Sequence, residues 1–238
     1  MEKEYKNIAL FFAVIAAIVL IGFFPTYFSH FPNFEGKVPL HHFHAFVMIL
    51  WLVVLIVQPI LINKRKYQWH RLIGKFSYFL VPIIVITMVL AYKISFFNSV
   101  DANGINHIKS LSMLFLPLTD ILPFTVFYLL AIIHRKKVAN HLRFMIATSV
   151  VVGSAGVVRI CMVWLGMGFV AAMYAIAVLM ILVLVGLVLY DLYQKKLPKN
   201  RSFVVALVVL AIPNLLLMVV PKTAWWLSFA DGIGKAIN

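Results

Sequence analysis

The sequence predicts an all-helical integral membrane protein, in which one domain over residues 1–238 forms a bundle of seven transmembrane helices. First, 64% of the residues are hydrophobic and only 12% are charged, whereas a soluble domain contains about 45–50% apolar and about 25% charged residues. Second, the apolar residues gather in seven runs that are long enough to cross a bilayer as helices. Third, the Lys and Arg residues concentrate in alternate loops between these runs.

The seven runs are expected to be helices, because the strands of a membrane barrel would be short and would alternate between apolar and polar residues. A helix rises about 1.5 Å per residue, so about 20 residues cover the ~30 Å hydrocarbon core. The first run lacks a small-residue cleavage site, and it is therefore predicted to be a retained span rather than a signal peptide. In chain order the predicted spans are residues 8–24, 39–62, 72–92, 111–133, 144–165, 170–190 and 203–220.

The basic residues predict the orientation of the chain. Of the 21 Lys and Arg residues, fifteen fall on the side of the N-terminus, five fall on the opposite side, and one lies inside a span. This asymmetry predicts a cytoplasmic N-terminus and an external C-terminus. The net charge of +14 then indicates contact with anionic lipid head groups and not with nucleic acid. We therefore expect a multi-pass protein of a bacterial cytoplasmic (inner) membrane.

Two charged residues inside spans are candidate catalytic residues. Asp120 lies in the outer half of the fourth span, and Arg159 lies near the outer edge of the fifth. A lone charge at such depth costs several kcal/mol unless it is paired or protonated. A pair between Asp120 and Arg159 would lower both costs, as a structural brace or as a functional pair. Pro117 and Pro123 flank Asp120 and predict a locally opened helix.

Two histidines at the start of the second span form a candidate metal site with Asp120. His41 and His44 are three residues apart and share a helix face. Together with Asp120 and Arg159 they are expected to point into one outer polar pocket. Imidazole and carboxylate ligands suit Zn, Fe or Mn, so His41, His44 and Asp120 are candidate metal ligands. The alternative is that the histidines lie at the interface near lipid head groups.

A second pair of histidines lies on the inner side. His70 opens the third predicted span and His141 opens the fifth, and an arginine follows each of them closely. The pair has two functional interpretations, as axial ligands of a haem or as an anion site for a lipid phosphate or polar substrate. The alternative is an ordinary basic loop that happens to contain histidine.

Parts of the second to fifth spans resemble a family of uncharacterised bacterial multi-pass inner-membrane proteins. That family has a histidine in its second helix, a glutamine near the inner end of that helix and an H-R-x-x-G-[RK]-x-x-Y element. The resemblance implies a multi-pass fold and no particular activity. It rests on H-A-F-V-M at 44–48, Q-P at 58–59, H-R-L-I-G-K-F-S-Y at 70–78, N-H-L-R-F-M at 140–145 and Arg159.

The order of four histidines resembles that in diheme b-type transmembrane cytochromes of the ascorbate-dependent reductase kind. His44, His70, His107 and His141 lie on or beside four successive spans. The resemblance implies a b-type haem between His70 and His141, with His44 as an outer ligand and quinone as a redox partner. Helix rise places His107 roughly 10 Å outside the hydrocarbon, which leaves His44 without a second ligand.

Three functions therefore stay open from the sequence, and the residues do not decide whether the protein is an enzyme. The first is a haem- or metal-linked redox protein with axial histidines. The second is a metal-dependent membrane hydrolase, in which Arg159 binds the anionic part of a lipid substrate. The third is a non-catalytic lipid-binding, assembly or proton-coupled transport protein, in which Asp120 carries the proton.

Overall fold

A computed structural model describes residues 2–34, 36, 38–103, 108–197 and 200–237, and these residues form helices and turns without a strand. His107, which is expected beside the fourth span, lies outside the described residues. A π-helical turn, Ile160–Trp164, extends the sixth helix. The helices are α1 (Glu2–Phe23), α2 (Pro39–Asn63), α3 (Tyr67–Asn103), α4 (Ile108–Thr119), α5 (Ile121–Ile133), α6 (Val138–Arg159), α7 (Phe169–Tyr193), α8 (Ser202–Leu217) and α9 (Ala224–Ile237).

Seven stretches of the described chain are helical and apolar enough to cross a membrane, which confirms the number and order of the predicted spans. Large apolar side chains are exposed along them, for example Leu10 at 65%, Phe79 at 73% and Ile133 at 69%. Water would penalise such a surface, whereas lipid tails would not. The stretches are Tyr5–Phe23, Pro39–Asn63, Tyr67–Asn98, Ser112–Ile133, Val138–Trp164, Phe169–Tyr193 and Ser202–Lys222.

Three helices begin five or six residues earlier than the sequence predicts, and the first of them, α1, begins at Glu2. Helix α3 begins at Tyr67 and α6 begins at Val138, so each starts several residues before its apolar run. The polar residues at these starts include no glycine or proline, and the helices therefore continue beyond the apolar part. As a result His70 and His141 lie one turn inside their helices rather than at the first residue.

The fourth predicted span is interrupted at Asp120, between α4 and α5. Asp120 has φ −115° and ψ −57°, away from ideal helical values. Pro123 lacks the N–H that would donate to the carbonyl of Thr119, and this weakens the helix at that point. The N–H of Asp120 still donates to Leu116 O at 3.1 Å, and the N–H of Phe124 donates to Asp120 O at 3.0 Å. The predicted opening is therefore a local break that keeps the two halves joined.

Helix α6 lies at the centre of the bundle, where it contacts α1, α5, α7 and α8. Its buried hydroxyl groups bond within the helix, since Thr148, Ser149 and Ser154 each donate to the carbonyl three residues earlier. These bonds satisfy polar groups that would be costly to bury unpaired. Large apolar side chains such as Trp51 and Phe124 fill the core beside α6.

Helix α9 follows the last span and was not predicted from the sequence. The Trp226 ring packs on Phe115 of α4 with centroids 5.1 Å apart, while Trp225 and Phe229 are exposed. We call the end of the bundle with α9 and the start of α2 the outer end, after the orientation predicted from the Lys and Arg residues. The opposite end is the inner end.

Candidate functional site

A cavity of about 610 Å³ lies in the outer half of the bundle, and we call it the outer cavity. Its wall is mostly apolar. The polar side chains on it include all four residues that the sequence places in one outer pocket, namely His41, His44, Asp120 and Arg159. The wall also holds six of the ten methionines of the chain. These are Met48, Met88, Met113, Met162, Met173 and Met180.

The segment between α1 and α2 forms the outermost part of the cavity wall through Thr26, Tyr27 and Phe28. The Tyr27 hydroxyl lies 2.8 Å from Nδ1 of His42. Burial raises the pKa of Tyr27, so the phenol keeps its proton at neutral pH and shares a hydrogen bond with the imidazole of His42. The Phe34 ring packs against His42 with centroids 4.9 Å apart. These contacts hold the segment against the start of α2.

His44 offers a hydrogen-bond acceptor to a ligand. Its Nδ1 lies 3.0 Å from the hydroxyl oxygen of Thr87. That hydroxyl donates its single proton to the carbonyl of Ile84, 2.8 Å away. The Thr87 oxygen therefore accepts from His44, which assigns the ring proton to Nδ1 and leaves the lone pair of Nε2 available.

His41 has the opposite tautomer. The backbone N–H of Val38 donates to Nδ1 of His41 at 3.2 Å, and this contact closes the first turn of α2. Since Nδ1 accepts, the ring proton lies on Nε2. The sequence does not distinguish the two histidines, but their tautomers differ. Nε2 is a donor in His41 and an acceptor in His44.

Asp120 accepts a hydrogen bond from the hydroxyl of Tyr92 on α3. Tyr92 also lies within electrostatic range of Arg159, so its hydroxyl group is close to both charges of the cavity. Tyr92 is not a candidate from the sequence, because an aromatic residue in an apolar run has no signal of its own. The available signal was that Tyr92 lies at the outer end of its predicted span, near the depth of Asp120.

The ion pair between Asp120 and Arg159 that the sequence leaves open is absent from the described residues. Among the described residues Arg159 has no carboxylate partner. Its Nη1 donates to the carbonyl of Ala155 at 3.1 Å, and its guanidinium carbon lies 3.8 Å from the centroid of the Phe23 ring. The close crossing of α1 and α6 brings Phe23 onto Arg159, and the guanidinium makes this cation–π contact instead of an ion pair with Asp120.

The outer residues do not fit a three-ligand metal centre. Within the part of the chain that the structure describes, no group of three His, Cys, Asp or Glu side chains is placed to hold a metal ion. Nδ1 of His41 accepts from Val38, and Asp120 accepts from Tyr92. The metal site predicted from His41, His44 and Asp120 therefore stays a prediction.

The inner histidines lie near one another, and each has a ring nitrogen without a hydrogen-bond partner among the described residues. Nδ1 of His141 donates to the carbonyl of Ala131 at 2.8 Å, which leaves its Nε2 as an acceptor. Nδ1 of His70 is buried and has no partner among the described residues. The two rings lie within electrostatic range of each other. Gln58 donates to the backbone carbonyl of His70 at 3.2 Å and fixes the start of α3 against α2.

A buried ion pair joins Arg143 and Asp191, and it was not predicted from the sequence. Nε and Nη2 of Arg143 donate to the two carboxylate oxygens of Asp191 at 2.6 and 2.7 Å. The side chains are only 11% and 2% exposed. Both residues lie just outside the predicted spans, at the ends of loops. The available signal in the sequence was that the two residues have opposite charges and lie at the same depth, near the inner end.

No protein-family model, curated protein or solved structure matches the chain. The two family resemblances described from the residues therefore stay predictions. The fold and the outer cavity together define a class, which is a multi-pass helical protein of the membrane type with a mostly apolar cavity that holds a few charged and polar side chains near one end of the bundle.

Proposed function

We propose that the chain is a multi-pass protein of a bacterial cytoplasmic membrane that binds a small amphipathic molecule in the outer cavity. The N-terminus lies in the cytoplasm, so the cavity opens toward the outer leaflet. Its size and its mostly apolar wall with a few converging polar groups are typical of small-molecule sites. The single observation that carries this proposal is Arg159, a cation in an apolar cavity without a carboxylate partner among the described residues.

Arg159 supports an acidic head group. A guanidinium has five N–H donors, and one of those of Arg159 is used by the carbonyl of Ala155. Phe23 covers one face of the group, which orients its edge for in-plane bonds. A phosphate or carboxylate is the group that matches a planar fork of donors.

The methionines support a flexible apolar tail. Methionine is unbranched and polarisable, so it adapts to irregular apolar shapes. With six methionines on one wall, the outer cavity is suited to a chain with several conformations rather than to one rigid ring system. Such a ligand reaches the cavity from the membrane, where its tail is already dissolved.

Arg159→Gln is expected to weaken binding of 1-oleoyl-lysophosphatidic acid about 10- to 100-fold. A hydrogen bond to a charged group contributes ~1.5–3 kcal/mol, and ~1.4 kcal/mol is a tenfold change. The measurement is thermophoresis of the detergent-purified protein against this single-chain probe. Arg135→Gln removes the same charge from an exposed inner site and is expected to bind as the unchanged protein does.

The variant Ala91→Trp keeps this test decisive if Arg159→Gln does not fold. Ala91 lines the outer cavity, and a tryptophan there would occupy part of its volume without changing any charge. Binding is expected to be lost. Equal binding by the unchanged protein and a folded Ala91→Trp protein would contradict the proposal.

A second candidate function is membrane electron transfer through a b-type haem held by His70 and His141. The free ring nitrogens of the two histidines favour it, and the contact between His141 and Ala131 would orient one ligand. A haem would supply one-electron chemistry, with quinone as the expected partner. In this chain His70 and His141 would hold the iron, and Gln58 would fix the position of His70.

The haem candidate predicts a sharp b-type α-band in the reduced-minus-oxidised spectrum of the purified protein. His70→Ala and His141→Ala are each expected to abolish the band, because one axial ligand would be missing. His30→Ala, which changes an exposed histidine at the outer end, is expected to retain it. A folded preparation without colour or iron would exclude this candidate and leave ligand binding in the outer cavity untouched.

A further inference from the structure

The outer cavity contains two opposite charges that do not neutralise each other. Asp120 and Arg159 both line it, yet no ion pair joins them within the described residues. The contacts of Arg159 are the Ala155 carbonyl and the Phe23 ring. Its charge therefore has no counter-charge from the described protein.

The Asp120 carboxylate also lacks an oppositely charged partner among the described residues. Its hydrogen-bonding neighbours are Tyr92 and Thr119, and both are neutral. A carboxylate has about four acceptor sites on its two oxygens, so capacity is left for a further donor. In an apolar surrounding the donor that stabilises the ionised carboxylate best is a cation.

We propose that the ligand of the outer cavity has a zwitterionic head group, with its phosphate at Arg159 and its ammonium group at Asp120. This inference rests on the proposed function and specifies its substrate class. A phosphoethanolamine head group has both charges a few bonds apart. It occurs on a membrane phospholipid or as a water-soluble molecule, and the apolar wall of the cavity favours the lipid.

The neighbouring residues support this placement of the two groups. Tyr92 hydrogen-bonds to Asp120 and lies within electrostatic range of Arg159, so both charges of the cavity lie near the same side chain. His44 lies within electrostatic range of Arg159, and its Nε2 accepts. A second N–H of the ammonium group has an acceptor there, whereas the dianion of a phosphate monoester has no hydrogen-bond donor.

The test compares two single-chain probes that share the acyl chain and glycerol phosphate, and only one of them has an ethanolamine esterified to the phosphate. 1-Oleoyl-lysophosphatidylethanolamine is expected to bind the unchanged protein about tenfold more tightly than 1-oleoyl-lysophosphatidic acid. Asp120→Asn keeps the size of the side chain and an acceptor for Tyr92 but removes the charge. We expect it to lose this preference, because the affinity for the ethanolamine lipid falls to that for the acid. Asp231→Asn, on α9 outside the cavity wall, is expected to keep it.

Four other results would overturn part or all of the inference. Equal or tighter binding of lysophosphatidic acid by the unchanged protein would overturn the zwitterionic head group and leave the proposed function standing. An equal loss of both probes in Asp120→Asn would overturn the role of Asp120. Water-soluble phosphoethanolamine binding as tightly as the lipid would keep the head group and overturn the lipid source. Failure of every probe to bind would overturn the inference together with the proposed function.

Discussion

Arg143→Met is expected to lower the free energy of unfolding by about 3–5 kcal/mol, because removal of one member of a buried ion pair leaves the other charge without a partner. Asp191 is 1% exposed, and its two oxygens accept from Nε and Nη2 of Arg143. The loss is a large part of the ~5–15 kcal/mol that stabilises an ordinary domain. Thermal unfolding of the detergent-purified protein measures it.

The double variant Arg143→Met with Asp191→Leu separates charge from packing. It removes both charges and keeps apolar volume, so most of the lost stability is expected to return. Arg135→Met, at an exposed position, is expected to change stability by less than about 0.5 kcal/mol. An Arg143→Met protein as stable as the unchanged protein would contradict the stabilising role of the pair.

Gly156→Ala is expected to cost about 3 kcal/mol, at the upper end of the usual cost of overpacking. A Cβ at Gly156 would lie 2.7 Å from Cα of Val19 and 2.8 Å from the carbonyl oxygen of Ile18. These are backbone atoms of α1, so relief requires separation of the two helices. A Cβ at Gly22 would meet the carbonyl of Gly156 in the same way.

Gly186→Ala is the matched control for this crossing. Gly186 lies within α7, and a Cβ there would have no heavy atom within 4 Å. It is expected to leave the unfolding temperature unchanged or to raise it slightly, since alanine favours a helix over glycine. A Gly156→Ala protein that unfolds at the same temperature as the Gly186→Ala protein would contradict the close crossing of α1 and α6.

The crossing of α1 and α6 connects stability with the candidate site. Gly22 precedes Phe23, and Gly156 lies three residues before Arg159. The contact between the two backbones thus places the Phe23 ring 3.8 Å from the guanidinium carbon of Arg159. Separation of the helices would release Arg159, so Gly156→Ala should also weaken lipid binding.

The spans and the depth of the candidate residues could be predicted from the sequence. Hydropathy alone gives seven runs, and the structure has seven stretches able to cross a membrane. Helix rise places His44, Asp120 and Arg159 near one depth, and all three line the outer cavity. The run G-S-A-G at 153–156 consists of small residues, which indicates a helix face that packs closely against a neighbour.

The ends of the elements were harder to predict, because hydropathy marks apolar residues rather than helix ends. Helix α3 continues through the polar residues around His70, and α6 does so around His141. The amphipathic helix α9 has a hydrophobic run too short to count as a span. Its position depends on the contact between Trp226 and Phe115, residues from separate parts of the chain.

The sequence by itself determined the class of protein, the number of its spans and which polar residues lie near one end. Only the tertiary structure decided their partners, which are Tyr92 for Asp120, Phe23 for Arg159 and Asp191 for Arg143. The rise and turn of one helix fix the depth and face of a side chain. Its partner depends on how separate helices are rotated and which of them are neighbours, and this is set by contacts across the whole bundle.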